Sequence, residues 1–137
     1  MPKGVKPSFE LAMPDKFVEQ CKNSDVIYFH GGETNLIISL IRNFDLPTVF
    51  NSKVIATNSA SSDMLSRHYW SCDKRVCANG LGIFKIKFIP HYNSNYGSDD
   101  PRGPIDWSQA KKDLEQYGDK KLPIYALEEG EYIIFEE

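Results

Sequence analysis

The hydrophobic and polar positions of the chain follow a repeated order of apolar run, small-residue turn and helical stripe. Residues 26–30 form a nearly continuous apolar run, which is typical of a strand covered on both faces of a sheet. A Gly-Gly pair ends this run, and residues 34–43 have the spacing of an amphipathic helix. The apolar residues that we expect on its inward face are Leu36, Ile37, Leu40 and Ile41. A second apolar run, residues 54–56, leads through small polar residues into a helix predicted to continue to Trp70. This order predicts an α/β fold with a mostly parallel sheet flanked by helices.

The next strand is predicted to have one solvated face. Residues 83–89 alternate apolar side chains with Lys85 and Lys87, which is the period of a half-buried strand. Residues 93–104, shortly after it, are polar and rich in Gly and Pro. Loops of this length are uncommon in compact domains and often carry function.

The two ends of the chain differ in how clearly they predict structure. Residues 1–13 have no clear period and are predicted to be a lead-in arm. Near the other end, Asp106 has the position of a helix N-cap and Gly118 that of a helix stop. Two short strands are predicted after this helix, at residues 123–127 and 131–135.

The composition is that of one ordinary globular domain. The chain has 137 residues, of which 41% are apolar and 26% are charged, and its formal net charge is −3. This balance gives no reason to expect nucleic acid or an anionic membrane as a partner. The three cysteines are an odd number without a dense framework, and no apolar run is long enough to span a bilayer. We therefore expect a single cytoplasmic domain that covers residues 1–137.

The stretch around Ser59 has the composition of a tight turn between a strand and a helix. Such a turn can hold one hydroxyl at the end of a sheet, beside the free backbone N–H groups of a helix N-terminus. The plain alternative is that Ser59 is an ordinary helix N-cap, whose hydroxyl accepts a hydrogen bond from a backbone N–H. The local sequence leaves both interpretations open.

Four short motifs occur in an order that is also found in a known family of peptidases. They are Gly31-Gly32-Glu33-Thr34, the turn around Ser59, Pro90-His91-Tyr92 and Glu128-Glu129-Gly130. From about Phe17 to the C-terminus, the chain resembles the peptidase E family, which are aspartyl dipeptidases on the class I glutamine-amidotransferase-like fold, a flavodoxin-like arrangement. The resemblance implies a serine peptidase that hydrolyses small acidic peptides, with an N-terminal Asp, through an acyl-enzyme. It implies no cofactor.

The resemblance also implies a role for each motif. Ser59 corresponds to the family's nucleophile, His91 to its general base, and Glu129 to the carboxylate that orients the histidine. The backbone N–H groups that it implies for the oxyanion hole are those of Gly31, Gly32 and Ala60. Arg102, in the long loop after His91, is a candidate partner for an acidic substrate side chain, with a solvated loop arginine as the alternative.

The turn around Ser59 departs from the family's pattern. Thr57 and Ser61 stand where the family has glycines, and Ser62 replaces an alanine. Side chains at these positions can tilt the hydroxyl or crowd a substrate, because glycines let a strained turn pass close to its neighbours. The second functional class to consider is therefore a catalytically inactive binding or assembly module with the same fold.

Several candidate residues have structural alternatives. His91 can be a strand-end histidine that bonds to the backbone, and Glu128 is an alternative third member of the triad. We expect His68 to be a structural or surface residue. The spacing of Cys72 and Cys77 with His91 is not that of a zinc site, so we expect no bound metal.

The family's N-terminal strand–helix units have no counterpart in this sequence. A parallel sheet without them would expose unpaired backbone groups and apolar surface at its edge. Either the sequence is a fragment or a naturally shortened form, or another chain completes the sheet. We expect a homo-oligomer.

Overall fold

The computed structural model describes Gly4 and residues 6–136, which form an α/β fold. Most elements are short, so the position of each depends on packing more than on its own stability. In chain order they are α1 (Phe17–Lys22), β1 (Val26–Phe29), α2 (Thr34–Ile41), α3 (Leu46–Val49), β2 (Val54–Thr57), α4 (Ala60–Leu65), β3 (Ser66–Ser71), β4 (Val76–Asn79), β5 (Phe84–Ile89), α5 (Trp107–Gln116) and β6 (Ile124–Ala126).

The strands are divided between two sheets. One sheet pairs β1 with β2 in parallel, with Val26 opposite Val54 and Phe29 opposite Thr57. The other has the order β4-β3-β5-β6. In this larger sheet β3–β5 and β5–β6 are parallel, and β3–β4 is an antiparallel hairpin. The α/β class predicted from the sequence is confirmed, although the two sheets do not define a clearly flavodoxin-like arrangement.

Each sheet has its own hydrophobic cluster. The cluster beside β1 and β2 contains the buried residues Phe17, Cys21, Ile27, Ile41, Leu46, Phe50, Met64 and Leu65. The cluster beside the four-stranded sheet contains Trp70, Cys72, Ile89, Ile105, Trp107, Ala110 and Leu114. Helix α4 packs against both α2 and β3, so it connects the first cluster to the second sheet.

The helix predicted to continue to Trp70 is shorter than expected. α4 ends at Leu65, and the following residues form β3, which pairs with β4 and β5. The Ser66 hydroxyl donates to the Ser62 carbonyl (2.6 Å) at this helix end. Gly80 crosses the same point so closely that a Cβ there would collide with the Ser66 carbonyl. Long-range strand pairing therefore overrides the local helical pattern.

The prediction that Lys87 lies on a solvated face is wrong. Its side chain is almost fully buried, and Nζ donates to the Leu114 carbonyl (2.8 Å) and the Glu115 carbonyl (3.3 Å). The ammonium group thus satisfies carbonyls at the C-terminal end of α5, where the helix dipole favours positive charge. Burial lowers the pKa of Lys87. β5 is consequently covered on both faces over residues 86–89, whereas Lys85 is exposed as predicted.

Two further predictions on apolar segments also differ from the structure. Leu36 and Leu40 of α2 are exposed, whereas Ile41 is buried and Ile37 packs against the first cluster. Residues 131–135, predicted as a strand, are not in a strand. The predicted strand at residues 123–127 is present as β6.

Candidate active site

Ser59 occupies a strained turn between β2 and α4. Its φ of 51° and ψ of −112° are rare for a residue other than glycine. Its hydroxyl makes no capping bond to α4. The interpretation of this side chain as an ordinary N-cap is therefore wrong, and the strain instead points the hydroxyl away from the helix.

The three side chains of the predicted triad form a continuous hydrogen-bonded relay. Ser59 Oγ lies 2.8 Å from His91 Nε2, and His91 Nδ1 lies 2.5 Å from Glu129 Oε1. With a proton on Nδ1, the histidine donates to the carboxylate, and its Nε2 accepts from the serine hydroxyl. This is the arrangement in which an imidazole can remove the hydroxyl proton.

The relay forms because three strand ends meet. Ser59 follows β2, whereas His91 and Glu129 follow the adjacent parallel strands β5 and β6. Backbone bonds continue this pairing beyond the strands, since Leu127 N–H donates to Ile89 O (3.1 Å) and Tyr92 N–H donates to Leu127 O (2.9 Å). The two segments after the strands are therefore held side by side.

The structure distinguishes between the two candidate carboxylates. Glu129 bonds to the histidine, whereas Glu128 accepts from Asn93 Nδ2 (3.1 Å) and has no hydrogen bond to His91 among the described residues. The turn that presents both is held by a backbone bond from Glu131 N–H to Glu128 O (3.1 Å). The alternative with Glu128 as the third member is thus disfavoured by geometry.

The side chains that replace the family's glycines form hydrogen bonds within the turn. Ser61 is fully buried, and its hydroxyl accepts from Asn58 N–H (2.9 Å) and lies 2.8 Å from the Phe29 carbonyl at the end of β1. Thr57 Oγ1 lies 2.8 Å from Ser62 Oγ. These hydroxyls stabilise the strained turn and tie it to the neighbouring strand.

Gly31 runs directly against this turn. A Cβ at Gly31 would lie 3.4 Å from the Asn58 carbonyl and 3.6 Å from Ser59 Cβ. The next residue, Gly32, has a φ of 153°, which side chains rarely tolerate. The backbone at Gly31 is thus close to the serine, and Ala60 directly follows the serine as the first residue of α4.

Tyr96 stacks on the imidazole and was missed in the sequence. Its ring centroid lies 4.3 Å from that of His91, with an angle of 8° between the planes. Its hydroxyl donates to Asp73 Oδ1 (2.6 Å) in the turn between β3 and β4. This bond, together with burial, raises the pKa of Tyr96 to about 12. The one feature that pointed to Tyr96 was its place in the long polar loop just after His91.

Arg102 is occupied within the protein rather than free for a substrate. Its guanidinium donates to both carboxylate oxygens of Asp100 (2.8 and 2.7 Å) and to the Asp73 carbonyl (2.7 Å). Arg75 holds the same loop, since it donates to the carbonyls of Gly97 and Gly103. Both arginines therefore anchor the loop that carries Tyr96.

A buried carboxyl lies in α4, below the turn. Asp63 is 4% exposed, and its Oδ1 has no hydrogen-bond partner among the described residues. Burial, with a smaller contribution from Asp73, raises its pKa well above the usual value. Cys72 is buried nearby, donates to the Pro90 carbonyl (3.3 Å), and has a pKa raised by burial, so it is a thiol rather than a nucleophilic thiolate.

The other histidines lie outside the relay. His68 Nδ1 lies 2.8 Å from Asn79 Oδ1, and its Nε2 accepts from Asp119 N–H (3.2 Å), which is a structural role. His30 is exposed at the end of β1. Within the described chain, no group of three or more His, Cys, Asp or Glu side chains is arranged to hold a metal ion.

The relay lies at an open surface. The His91 side chain is 21% exposed and that of Glu129 is 65% exposed. A cavity of about 470 Å³ lies elsewhere, beside α1, with Pro14, Phe17 and Phe44 in its lining. No helix among residues 6–136 is long and apolar enough to cross a bilayer.

Comparisons of the chain with profiles of known protein families, with curated protein sequences and with solved structures found no match. The resemblance to the peptidase E family therefore depends on the four motifs alone.

Proposed function

We propose that the protein is a serine hydrolase of small peptides that works through an acyl-enzyme, on a fold of the class I glutamine-amidotransferase-like type. The single observation that carries this proposal is the relay from Ser59 through His91 to Glu129, built on a strained turn. Strain of this kind is concentrated at functional sites, because a structural serine has no need of it.

The first half-reaction transfers the acyl group to the serine. Ser59 Oγ attacks the substrate carbonyl carbon while its proton passes to His91 Nε2, and Glu129 stabilises the resulting imidazolium. The imidazolium then protonates the leaving amine, and the carbon–nitrogen bond breaks. In the second half-reaction, a water gives a proton to His91 Nε2 and attacks the ester carbon, and the imidazolium returns that proton to Ser59 Oγ as the acyl carbon–oxygen bond breaks.

The negative charge that develops on the substrate oxygen requires backbone donors. The candidates are the N–H groups of Ala60, which directly follows the serine, of Gly31, which lies against its turn, and of Gly32, which the resemblance implies. One such donor typically contributes about 3 kcal/mol of transition-state stabilisation. This assignment explains why a glycine turn follows β1 at a point where the chain passes so close to Ser59.

A catalytically inactive binding or assembly module is the second candidate. The observation that favours it is the uncovered apolar face of the β1–β2 sheet, where Val26, Tyr28 and Val54 are each more than half exposed. Contiguous exposed apolar side chains often mark a contact surface. The two candidates differ in whether the Ser59 hydroxyl reacts.

The test measures covalent labelling by a fluorophosphonate and hydrolysis of an aminoacyl ester whose side chain is uncharged, in wild type and in two matched variants. Ser59→Ala should abolish labelling and lower kcat/KM by at least about 10³-fold, because the nucleophile is removed. Ser108→Ala, on exposed surface of α5, removes a hydroxyl outside the relay and should retain both. Absence of labelling in folded wild type, or equal turnover in Ser59→Ala, would contradict the hydrolase and favour the inactive module.

A further inference from the structure

The imidazole of His91 is held by hydrogen bonds at an open surface. Its backbone φ of 57° lies in the left-handed region, which is uncommon for residues other than glycine. The carboxylate that orients the ring belongs to Glu129, whose side chain is 65% exposed. Water competes for a hydrogen bond at such a position, so this bond alone restrains the ring only weakly. A contact that fixes the ring plane would keep Nε2 directed at Ser59.

Tyr96 supplies such a contact, because its ring covers one face of the imidazole. The two rings are nearly parallel at 8°, with their centroids 4.3 Å apart. Rotation of the imidazole out of this plane would drive its edge into the tyrosine ring. The stack therefore favours the ring plane in which Nδ1 bonds to Glu129 and Nε2 to Ser59. The π face of the tyrosine also attracts the positive charge that the imidazole gains when it takes the serine proton.

The Tyr96 ring is itself fixed from the side of the larger sheet. Its hydroxyl donates to Asp73 Oδ1 (2.6 Å), and its backbone N–H donates to Ser94 Oγ (3.1 Å). The Ser94 carbonyl accepts from the indole N–H of Trp107 (3.1 Å), a buried residue of the second cluster. Arg102 ties a later part of the loop to the Asp73 carbonyl (2.7 Å). The hydrophobic cluster and the β3–β4 turn thus hold the tyrosine together.

We propose that Tyr96 is a positioning residue of the relay, which holds the His91 ring in the plane where the imidazole can take the Ser59 proton, and that Asp73 holds Tyr96 in place. The inference deepens the proposed hydrolase function and rests on it for the effect on turnover. The restraint on the ring belongs to the folded protein with or without a substrate. Tyr96 acts through His91 and needs no contact with the substrate.

The kinetic experiment uses the full chain and the uncharged aminoacyl ester. Tyr96→Leu retains apolar bulk but removes the aromatic ring, and it should lower kcat about three- to tenfold, which is the range that one stacked or cation–π contact contributes. KM should change less than about twofold, because the ring acts on the imidazole and not on the bound substrate. Tyr132→Leu, at a tyrosine that is 79% exposed and outside the loop, is the matched control and should leave kcat unchanged.

A pair of variants tests the role of Asp73. Tyr96→Phe keeps the ring and Asp73→Ala keeps the tyrosine, but both remove the same hydrogen bond. Each should therefore lower kcat by the same factor, which should be smaller than that of Tyr96→Leu. The double variant should be no slower than either single one, because the two substitutions break one interaction. Losses that multiply in the double variant would overturn the role of Asp73.

An NMR measurement tests the restraint without relying on turnover. The ring current of Tyr96 should move the carbon-bound ring protons of His91 upfield in wild type and in Tyr96→Phe, and Tyr96→Leu should remove this shift. The Nδ1 proton, which bonds to Glu129, should exchange with water faster in Tyr96→Leu, because the imidazole then leaves the carboxylate more often. Should Tyr96→Leu fail to fold, Asp73→Ala takes its place and should show the same changes in smaller measure.

Failure of the inference can be distinguished from failure of the hydrolase proposal. Turnover that depends on Ser59 and has an unchanged kcat in Tyr96→Leu would overturn the positioning role and leave the hydrolase standing. Equal losses of kcat in Tyr96→Phe and Tyr96→Leu would also overturn it, because the stacked ring would then have no effect. Where wild type turns over no substrate, the hydrolase proposal fails and the exchange of the Nδ1 proton decides. Faster exchange in Tyr96→Leu supports the restraint, and unchanged exchange overturns it.

Discussion

The two sheets of the protein differ in how completely they are covered. In the four-stranded sheet, β5 is buried on both faces over residues 86–89, and even Lys87 is enclosed by α5. In the two-stranded sheet, one face packs against the first cluster, whereas Val26, Tyr28 and Val54 on the other face are 56%, 56% and 63% exposed. The sheets therefore differ in the uncovered outer face of the smaller one and not in the size of their hydrophobic clusters.

The relay spans both regions. The less covered sheet presents Ser59, and the well-packed sheet presents His91 and Glu129. The distance between serine and histidine thus depends on how firmly the two sheets are joined. That connection is made by α4, which is buried from Ala60 to Leu65 except at Ser62, and by the bond from Ser61 to the end of β1. We infer that the precision of the site is set at this junction.

The largest expected effect is on stability, from removal of a packed side chain beside the larger sheet. Leu114 is fully buried in α5, so Leu114→Ala should lower the free energy of unfolding by about 2–5 kcal/mol, through lost transfer free energy and the cavity left behind. Leu40→Ala, on exposed surface of α2, should change it by less than about 0.5 kcal/mol. Urea unfolding of both variants measures the difference. Equal losses of unfolding free energy in the two variants would mean that Leu40 is covered in solution. The two regions would then not differ in how completely they are covered.

The parts of the fold that local sequence decides were predicted correctly. The apolar runs became β1 and β2, and the Asp106 side chain caps α5 by accepting from Gln109 N–H (3.0 Å). The segments whose structure depends on long-range contacts were predicted incorrectly. Residues 66–70 have a local pattern that suits a helix, but β4 and β5 supply strand partners. Lys87 was predicted to be solvated because the sequence around it gives no sign of the carbonyls at the end of α5 that bind its ammonium group.

The candidate site was more predictable than its surroundings. Ser59, His91 and Glu129 follow strand ends, and the ends of neighbouring parallel strands gather at one edge of a sheet. The occupied state of Arg102 and the stacking of Tyr96 could not be predicted, because both depend on how the long loop folds onto the β3–β4 turn. The acidic substrate is implied by the resemblance and not by Arg102, so it stays a prediction although that arginine pairs with Asp100.

The second effect concerns pH and the helix that joins the two sheets. The pKa of Asp63 is higher in the folded protein than in the unfolded chain, so the folded state keeps a proton that the unfolded state loses as pH rises above about 4. Stability should therefore fall with rising pH, at up to about 1.4 kcal/mol per pH unit, until the carboxyl ionises in the folded state. Asp63→Asn should remove this slope. Unfolding by urea between pH 4 and pH 7 measures it, with the exposed Asp99→Asn as the control; a slope that persists in Asp63→Asn would place the titrating group elsewhere.

The smallest expected effect on stability comes from a substitution on the uncovered face of the β1–β2 sheet. The same substitution tests the expected homo-oligomer. Tyr28 is more than half exposed, and Tyr28→Thr keeps a residue that favours strands, so the free energy of unfolding of the isolated chain should change by less than about 0.5 kcal/mol. If a second copy covers this face, the same substitution should weaken self-association in sedimentation equilibrium, because the tyrosine would be removed from a buried contact. Val76→Thr, on exposed surface of β4 in the other sheet, is the matched control and should leave association unchanged. Wild type that remains monomeric at high concentration would contradict the oligomer. The outer face of the β1–β2 sheet would then be uncovered in solution, and the difference between the two sheets would belong to the single chain.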